Sequence, residues 1–232
     1  MAEAFAAQGD RVVVTDVDAT ALADCPDAWV RVCCDATDAA AMAAVIGDMP
    51  RVDVVCANAG VAGPTAAVED IALEDWRACV SVNLDAAFLA AKYAAPKMKA
   101  AGAGVFLVTS STAGQYGYPF RAPYASAKWA VIGLMKTLAM ELGPHGIRAN
   151  AICPGSVEGP RMDGVIAREA AAKEMSPEQV RAGYAAGTSM RSFVRAEDIA
   201  DMAVFLASDG AARVSGQVIA VDGHTVNPDP QI

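Results

Sequence analysis

Apolar, β-branched runs alternate with helix-like segments along nearly the whole chain, and that alternation constrains the fold more than any other feature. The runs cover residues 11–15, 29–34, 52–57, 105–109, 147–153 and 217–221. Most are continuously apolar. A strand that buries one face alternates apolar with polar; a strand covered on both faces does not. Helical patterns fill the intervals: residues 18–24, 38–49 with Thr37 as cap, 73–101 with a break near Asn83, 122–142 and 196–207. Residues 1–8 read as the end of a helix that Gly9 stops. The pattern predicts an α/β fold, a doubly wound parallel sheet with helices on both faces. The 232 residues, 54% of them hydrophobic, suffice for one sizeable core. No repeat, low-complexity segment or linker divides them, so a single domain over 1–232 is expected. Residues 156–195 carry most of the irregular sequence, with a capping box from Ser176 to Gln179, and read as a lid over the substrate edge. Residues 227–230 read as loop.

Composition narrows the function. The net charge of −9 repels phosphate backbones, so nucleic acid is not an expected partner. No apolar run approaches the ~20 residues that span a bilayer. The first residues carry no basic leader, so a cytoplasmic protein with no membrane partner is expected. None of the six cysteines forms a C-x-x-C pair, and several lie in apolar runs, as buried reduced thiols do. The two histidines, His145 and His224, have no clustered ligands around them. A zinc site is therefore not expected, and a Ser-His-Asp hydrolase has little room.

Reactive chemistry concentrates between Ser110 and Lys128. Tyr124 and Lys128 are four apart, and Pro123 just before them suits the start of a helix. They would stack on one face of its first turn. An ammonium beside a phenol favours the ionised phenol, and such a tyrosine is a general acid/base for an alcohol or carbonyl. Ser111, thirteen residues earlier, follows an apolar run and can offer its hydroxyl to the same substrate oxygen. Tyr93 and Lys97 share the spacing but lack the serine loop. They read as a packed tyrosine and a solvated lysine.

Ligands of open α/β sheets bind beyond the carboxyl ends of the strands. Those ends carry Asp16, Asp35, Asn58-Ala59-Gly60, Ser111 and Pro154-Gly155. A carboxylate at Asp16, with Asp18 nearby, can accept hydrogen bonds from both ribose hydroxyls of an adenosine and repels a 2′-phosphate, which argues for NAD over NADP. Asn58 to Gly60 lets backbone approach a flat ligand. Each also has a plainer role open to it: Asp16 as a strand-end turn, Asn58 to Gly60 as a plain turn, Asn83 as a helix cap.

In that order and at those spacings, Asp16, Asp35, Asn58-Ala59-Gly60, Asn83, Ser111, Tyr124-x-x-x-Lys128 and Pro154-Gly155 resemble the short-chain dehydrogenase/reductase family, from the first residue to about Gly223. The resemblance implies a Rossmann-type fold and an NAD(P)-dependent oxidoreductase, most often a homotetramer, acting on a small alcohol or carbonyl. It implies Tyr124 as acid/base and Lys128 on the nicotinamide ribose. Ser111 would polarise the substrate oxygen, and Asn83 would hold a water of a proton relay. It puts Asp16 on the adenosine ribose, Asp35 and Ala36 on the adenine, Asn58, Ala59 and Gly60 along the cofactor, and the Val157 backbone on the carboxamide. Gln115 and Tyr118 would face the substrate. Arg161, with Arg168, Arg181 and Arg191, would either meet an anionic group on it or balance Glu158, Glu169 and Glu174.

The sequence departs from the family at two places. Gly159 stands where members often carry a threonine. The family's opening strand and glycine-rich pyrophosphate loop have no counterpart here, so the strands at 11–15 and 52–57 are expected to lack the partner that lies between them. The missing loop leaves open a non-catalytic, cofactor-sensing or scaffolding member of the fold. A nucleotide-sugar epimerase would need a larger substrate domain than the chain after Pro154 supplies.

Overall fold

The computed structural model describes residues 1–228. In chain order it contains α1 (Ala2–Ala7), β1 (Val13–Asp16), α2 (Ala19–Ala23), β2 (Val30–Cys33), α3 (Ala39–Gly47), β3 (Val54–Ala57), α4 (Leu73–Val80), α5 (Ala86–Ala101), β4 (Gly104–Thr109), α6 (Ala122–Leu142), β5 (Ile147–Pro154), α7 (Pro160–Lys173), α8 (Pro177–Ala186), α9 (Ala196–Ala207) and β6 (Val218–Val221). The four named ladders are all parallel. Strands β3, β4, β5 and β6 form one sheet in that order, and β1 and β2 form another.

The central strand β4 shows why its sequence run is continuously apolar. Phe106 and Val108 pack with Met98 of α5 and with Val131, Met135 and Leu142 of α6. Val105 and Leu107 pack with Ile199, Ala203 and Leu206 of α9 and with Phe5 of α1. Successive side chains serve opposite faces, so a strand covered twice leaves no polar position. Phe106, Met98 and Met135 are at most 1% exposed, and each such burial contributes about 1.5–3 kcal/mol. Ala87, Ala90, Ala91 and Ala94 bring α5 close to its neighbours in the same cluster. This is a single-domain Rossmann-type architecture.

Most expected elements are present with shifted ends. β1 begins at Val13 and includes Asp16, which is therefore the last strand residue and not the first turn residue. The helix-long segment at 73–101 breaks as expected, into α4, a π-helical turn Ser81–Asp85 and α5. Two readings need correction. Thr37 does not cap α3; the Asp38 carboxylate accepts from the amides of Ala40 and Ala41, while Thr37 donates to Asp35. Residues 156–195 are not mainly irregular, because they hold α7 as well as the expected α8 behind its capping box. Pro160 opens α7 at its first position, and alanine, arginine, glutamate and lysine sustain it. The expected loop at 227–230 lies partly outside the described residues.

No ladder joins β1 to β3. The other edge of β1 is taken by β2 and that of β3 by β4, so each strand keeps one edge unpaired among the described residues, as expected.

The helix ends before β4 and β5 meet each other. Gly102 caps α5 at φ 66°, and Gly146 turns the chain into β5 at φ 74°. A Cβ on Gly146 would lie 2.4 Å from the Gly102 carbonyl oxygen. The left-handed backbone costs an L-residue about 1–2 kcal/mol, and the clash adds to it. Gly146→Ala should therefore lose roughly 2–4 kcal/mol in urea unfolding. Gly9→Ala, at φ 88° with nothing within 4 Å, should lose only about 1 kcal/mol. Equal losses would show that the contact between the two turns is not tight.

Candidate active site

The site is assembled where the carboxyl ends of β3, β4 and β5 meet the first turns of α6. Pro123 starts α6, and Tyr124 and Lys128 follow one turn apart. The Lys128 Nζ lies 5.6 Å from the Tyr124 ring centroid and donates to the Thr109 carbonyl at 2.8 Å. Lys128 is only 3% exposed. Burial, aided by the charge of Arg161, lowers its pKa to about 8.

The serine loop is bolted onto α6. The Ser110 hydroxyl donates to the Lys128 carbonyl at 2.7 Å, fully inside the protein. Gly114 closes the same contact: a Cβ there would lie 2.6 Å from that carbonyl oxygen. Ser111 itself is half-buried, and its hydroxyl oxygen accepts from the Ala113 amide at 3.1 Å, starting the 3-10 turn Thr112–Gly114. Its hydroxyl hydrogen remains for another acceptor.

Asn83 sits on the π-helical turn and is 2% exposed. Its amide nitrogen donates to the carbonyls of Cys79 at 2.8 Å and Val61 at 3.0 Å, and its Oδ1 is buried with no partner. Gly60, three residues past β3, packs between that oxygen and Lys128. A Cβ on Gly60 would lie 2.7 Å from Asn83 Oδ1 and 3.3 Å from Lys128 Nζ. An orphaned acceptor beside an ammonium is a place for a hydroxyl or a water. Beyond β5, Val157 bridges to Val194, but the bonds run through Ser156 and Glu158, and the amide and carbonyl of Val157 itself make no hydrogen bond among the described residues. Gly155 packs so tightly on Asp222 that a Cβ would lie 2.8 Å from its Cα.

Asp16 and Asp35 stand at the carboxyl ends of β1 and β2, on the two-stranded sheet. Asp16 accepts from the Asp18 amide at 3.0 Å, and Asp18 caps α2. Asp35 accepts from the amide and hydroxyl of Thr37 at 2.8 and 2.7 Å, and these bonds hold its carboxyl below the usual range. Ala36 follows it in the turn into α3.

Gln115 is half-buried on the loop before α6. Tyr118 packs under α7 and α8 with Ile166, Val180 and Tyr184. Burial chiefly raises its pKa. The Tyr184 hydroxyl donates to the Glu169 carboxylate, which also pairs with Lys173 Nζ at 2.9 Å. Arg161 is exposed on the first turn of α7. Arg181 pairs with Asp163, and Arg191 donates to the Ala186 carbonyl at 3.1 Å. Glu169 is thus balanced by Lys173 and not by an arginine. Lys97 is not simply solvated either, because its Nζ donates to the Gly47 and Met49 carbonyls at the end of α3. Gly159, at φ 130° and ψ 176°, occupies a region essentially restricted to glycine, so the loop follows a path that a threonine would strain.

Sequence reasoning missed Arg121. It lies three residues before Tyr124, is 7% exposed, and has its guanidinium 4.9 Å from the Tyr124 ring centroid. The available signal was a basic residue in the loop that leads into the Tyr-x-x-x-Lys helix.

A family model described as enoyl-(acyl carrier protein) reductase matches residues 1–224. The chain belongs to the short-chain dehydrogenase/reductase family. It is 36% identical to trans-4-hydroxycyclohexanecarboxylate dehydrogenase of Sinomonas cyclohexanicum, over 96% of this chain and 85% of that protein. It is equally 36% identical to an inactive 2-(S)-hydroxypropyl-CoM dehydrogenase 2 of Xanthobacter autotrophicus, over 96% of this chain and 98% of that protein. The crystal structure of an NAD⁺-bound xylitol dehydrogenase superposes with a TM-score of 0.91 at 26% identity, covering 96% of this chain and 92% of the other. The relatives named are dehydrogenases of hydroxylated compounds, one of them described as inactive.

Burying Lys128 has a cost that pH can remove. Its folded pKa of about 8 lies below the free value of 10.5, so the unfolded chain binds the extra proton between those values. Stability therefore rises as pH climbs from 8 towards 10.5, and the full cost, on the order of 3 kcal/mol, is present below 8. Lys128→Met removes the ammonium. The variant should be at least as stable as the wild type in urea at pH 7, and the difference should shrink between pH 8 and 10. A difference independent of pH would mean that the ammonium stays hydrated.

Proposed function

We propose that the chain is an NAD-dependent oxidoreductase interconverting a secondary alcohol, a polyol or hydroxy acid among them, and its carbonyl. The observation that carries the reading is the placement of the buried Lys128 ammonium 5.6 Å from the Tyr124 ring centroid and, around Gly60, near the unpartnered Asn83 Oδ1. Those residues fit a nicotinamide ribose. The Val157 backbone, unbonded among the described residues, fits a carboxamide, and Asp16 with Asp35 and Ala36 fits an adenosine. Asn58 and Ala59 line the approach to Gly60, and Pro154-Gly155 brings β5 up to Val157.

When bound there, nicotinamide supplies the acceptor for the hydride that leaves the carbinol carbon. The chain does the rest. Tyr124 takes the hydroxyl proton, and the Ser111 hydroxyl holds the substrate oxygen in line. Lys128 and Arg121 bring two positive charges to the ring and stabilise the negative charge that develops on its oxygen. The proton then leaves by way of Lys128 and the polar space at Asn83. Residues 156–195, with α7 and α8, act as the lid over the substrate, above Gln115 and Tyr118, with Arg161 at its edge. The names of the relatives, a hydroxycyclohexanecarboxylate dehydrogenase and a xylitol dehydrogenase, support a hydroxylated substrate. No helix among the described residues is long and apolar enough to cross a membrane.

A second reading is a non-catalytic member. It is favoured by the likeness to a relative described as inactive, which this chain matches over nearly all of its length. A nicotinamide fluorescence titration followed by a spectrophotometric screen of alcohols separates the two. The enzyme should reduce NAD⁺ at least tenfold better than NADP⁺ in kcat/KM, which is only about 1.4 kcal/mol for a phosphate beside Asp16. Tyr124→Phe should lose about 10²–10⁴ in rate with NAD⁺ affinity within a few fold. Tyr93→Phe should be close to silent. Equal losses at the two tyrosines, or turnover with neither cofactor, would end the dehydrogenase reading.

Assembly as a homotetramer fits the exposed apolar side chains on the two long helices. Phe88 of α5 is 49% exposed, and Trp129 and Met140 of α6 are 52% and 81% exposed. Such faces pair with copies of themselves in symmetric oligomers. Light scattering at micromolar concentration should give a mass near four chains, and a monomer mass would refute it.

A further inference from the structure

We propose that Arg121 forms an anion subsite beside the acid/base tyrosine, and that the substrate carries a carboxylate or sulfonate. The inference rests on the reading of Tyr124 as the reacting group, and it adds a requirement on what that group acts upon. Arg121 is buried to all but 7% of its surface, yet no carboxylate pairs with it among the described residues. Its one hydrogen bond is long, 3.4 Å from a terminal nitrogen to the Ala62 carbonyl. Its Nε is buried with no partner. A guanidinium carries five donors in a rigid fork that matches a carboxylate or sulfonate, and a buried charge without a counter-charge is strongly disfavoured.

The acidic groups of α7 are occupied. Glu169 is held by Tyr184 and Lys173, and Asp163 by Arg181. The field of Arg121 nonetheless reaches this cover, since its charge acts on both Tyr118 and Tyr184. The chain as a whole carries a charge of −9, so general attraction does not draw an anion here; the local cation must do so.

The position is also rigid. Phe120 holds a left-handed backbone at φ 60°, and its carbonyl accepts from the Ala66 amide at 3.0 Å. The Arg121 carbonyl accepts from the Ala125 amide at 2.9 Å, within the first turn of α6. Backbone strain for a bulky residue, held by a neighbouring loop, is what fixes a side chain for recognition. With the guanidinium stacked 4.9 Å from the Tyr124 ring centroid, an anion held by it would keep a hydroxyl a few bonds away within reach of the phenol.

The test compares two ligands of the same shape, cyclohexanecarboxylate and cyclohexanecarboxamide. Each is titrated into the whole protein with NAD⁺ present, by calorimetry or thermal shift. The wild type should bind the carboxylate at least tenfold more tightly. Arg121→Gln should erase the preference, and Arg121→Lys, which keeps the charge but loses the fork, should retain part of it. The wild-type comparison and the lysine variant decide the matter even if the glutamine variant folds poorly. Equal binding of both ligands by the wild type overturns the proposal, as does no carboxylate binding at about 10 mM. A folded Arg121→Gln that keeps the preference, or that loses only NAD⁺ affinity, also overturns it. Because the readout is binding, a protein that takes the carboxylate but oxidises no alcohol would keep the subsite and lose the dehydrogenase reading. One that oxidises alcohols without preferring the carboxylate would do the reverse.

Discussion

The hydrogen bond from the Ser110 hydroxyl to the Lys128 carbonyl ties the loop after β4 to the second turn of α6, and the site depends on that tie. Gly114 makes it possible, because any side chain there would push the helix off the loop. With the two locked together, Ser111, Tyr124 and Lys128 come from two elements but move as one. The remaining walls are added from outside. Gly60 closes the site from β3, and Asn83 closes it from the π-helical turn. That turn exists because one extra residue in the helix swings the Asn83 amide inward to the carbonyls of Cys79 and Val61.

Much of this was legible in the sequence because local signals and global fold agree. The run at 105–109 announces a strand covered on both sides, and Phe106 and Leu107 go to opposite faces as that requires. α6 and α9 have the boundaries read from their patterns, since Pro123 and Gly143 bracket α6 and an apolar period runs along α9. α7 was not read although Pro160 and the alanine, arginine, glutamate and lysine after it favour a helix, because its N-cap, Gly159, has no side chain to mark the start. The role of Thr37 was misread for a related reason. Asp38, one residue later, competes for the same cap and wins, leaving Thr37 to serve Asp35. Arg121 stayed hidden because an arginine in a loop ordinarily points to water; only the fold shows it buried against an aromatic ring.

Charge runs through the site in a way that the acidic sequence conceals. Lys128 and Arg121 are both almost fully buried, and Arg161 stands close enough to act on Lys128. Burial of Lys128 costs stability below its folded pKa of about 8. That destabilisation is the mark of a pocket organised for what it binds rather than for its own stability.

The site residues are spread over two ladders that share one apolar core. Asp16 and Asp35 belong to a small body whose ladder ends at β1, while Gly60, Tyr124 and Lys128 belong to the larger one. Side-chain packing between α3 and the main core links them, through Met42 and Ile46, but no backbone ladder does. Any ligand long enough to engage both Asp16 and Gly60 would hold the two ladders together and stabilise the folded chain by mass action.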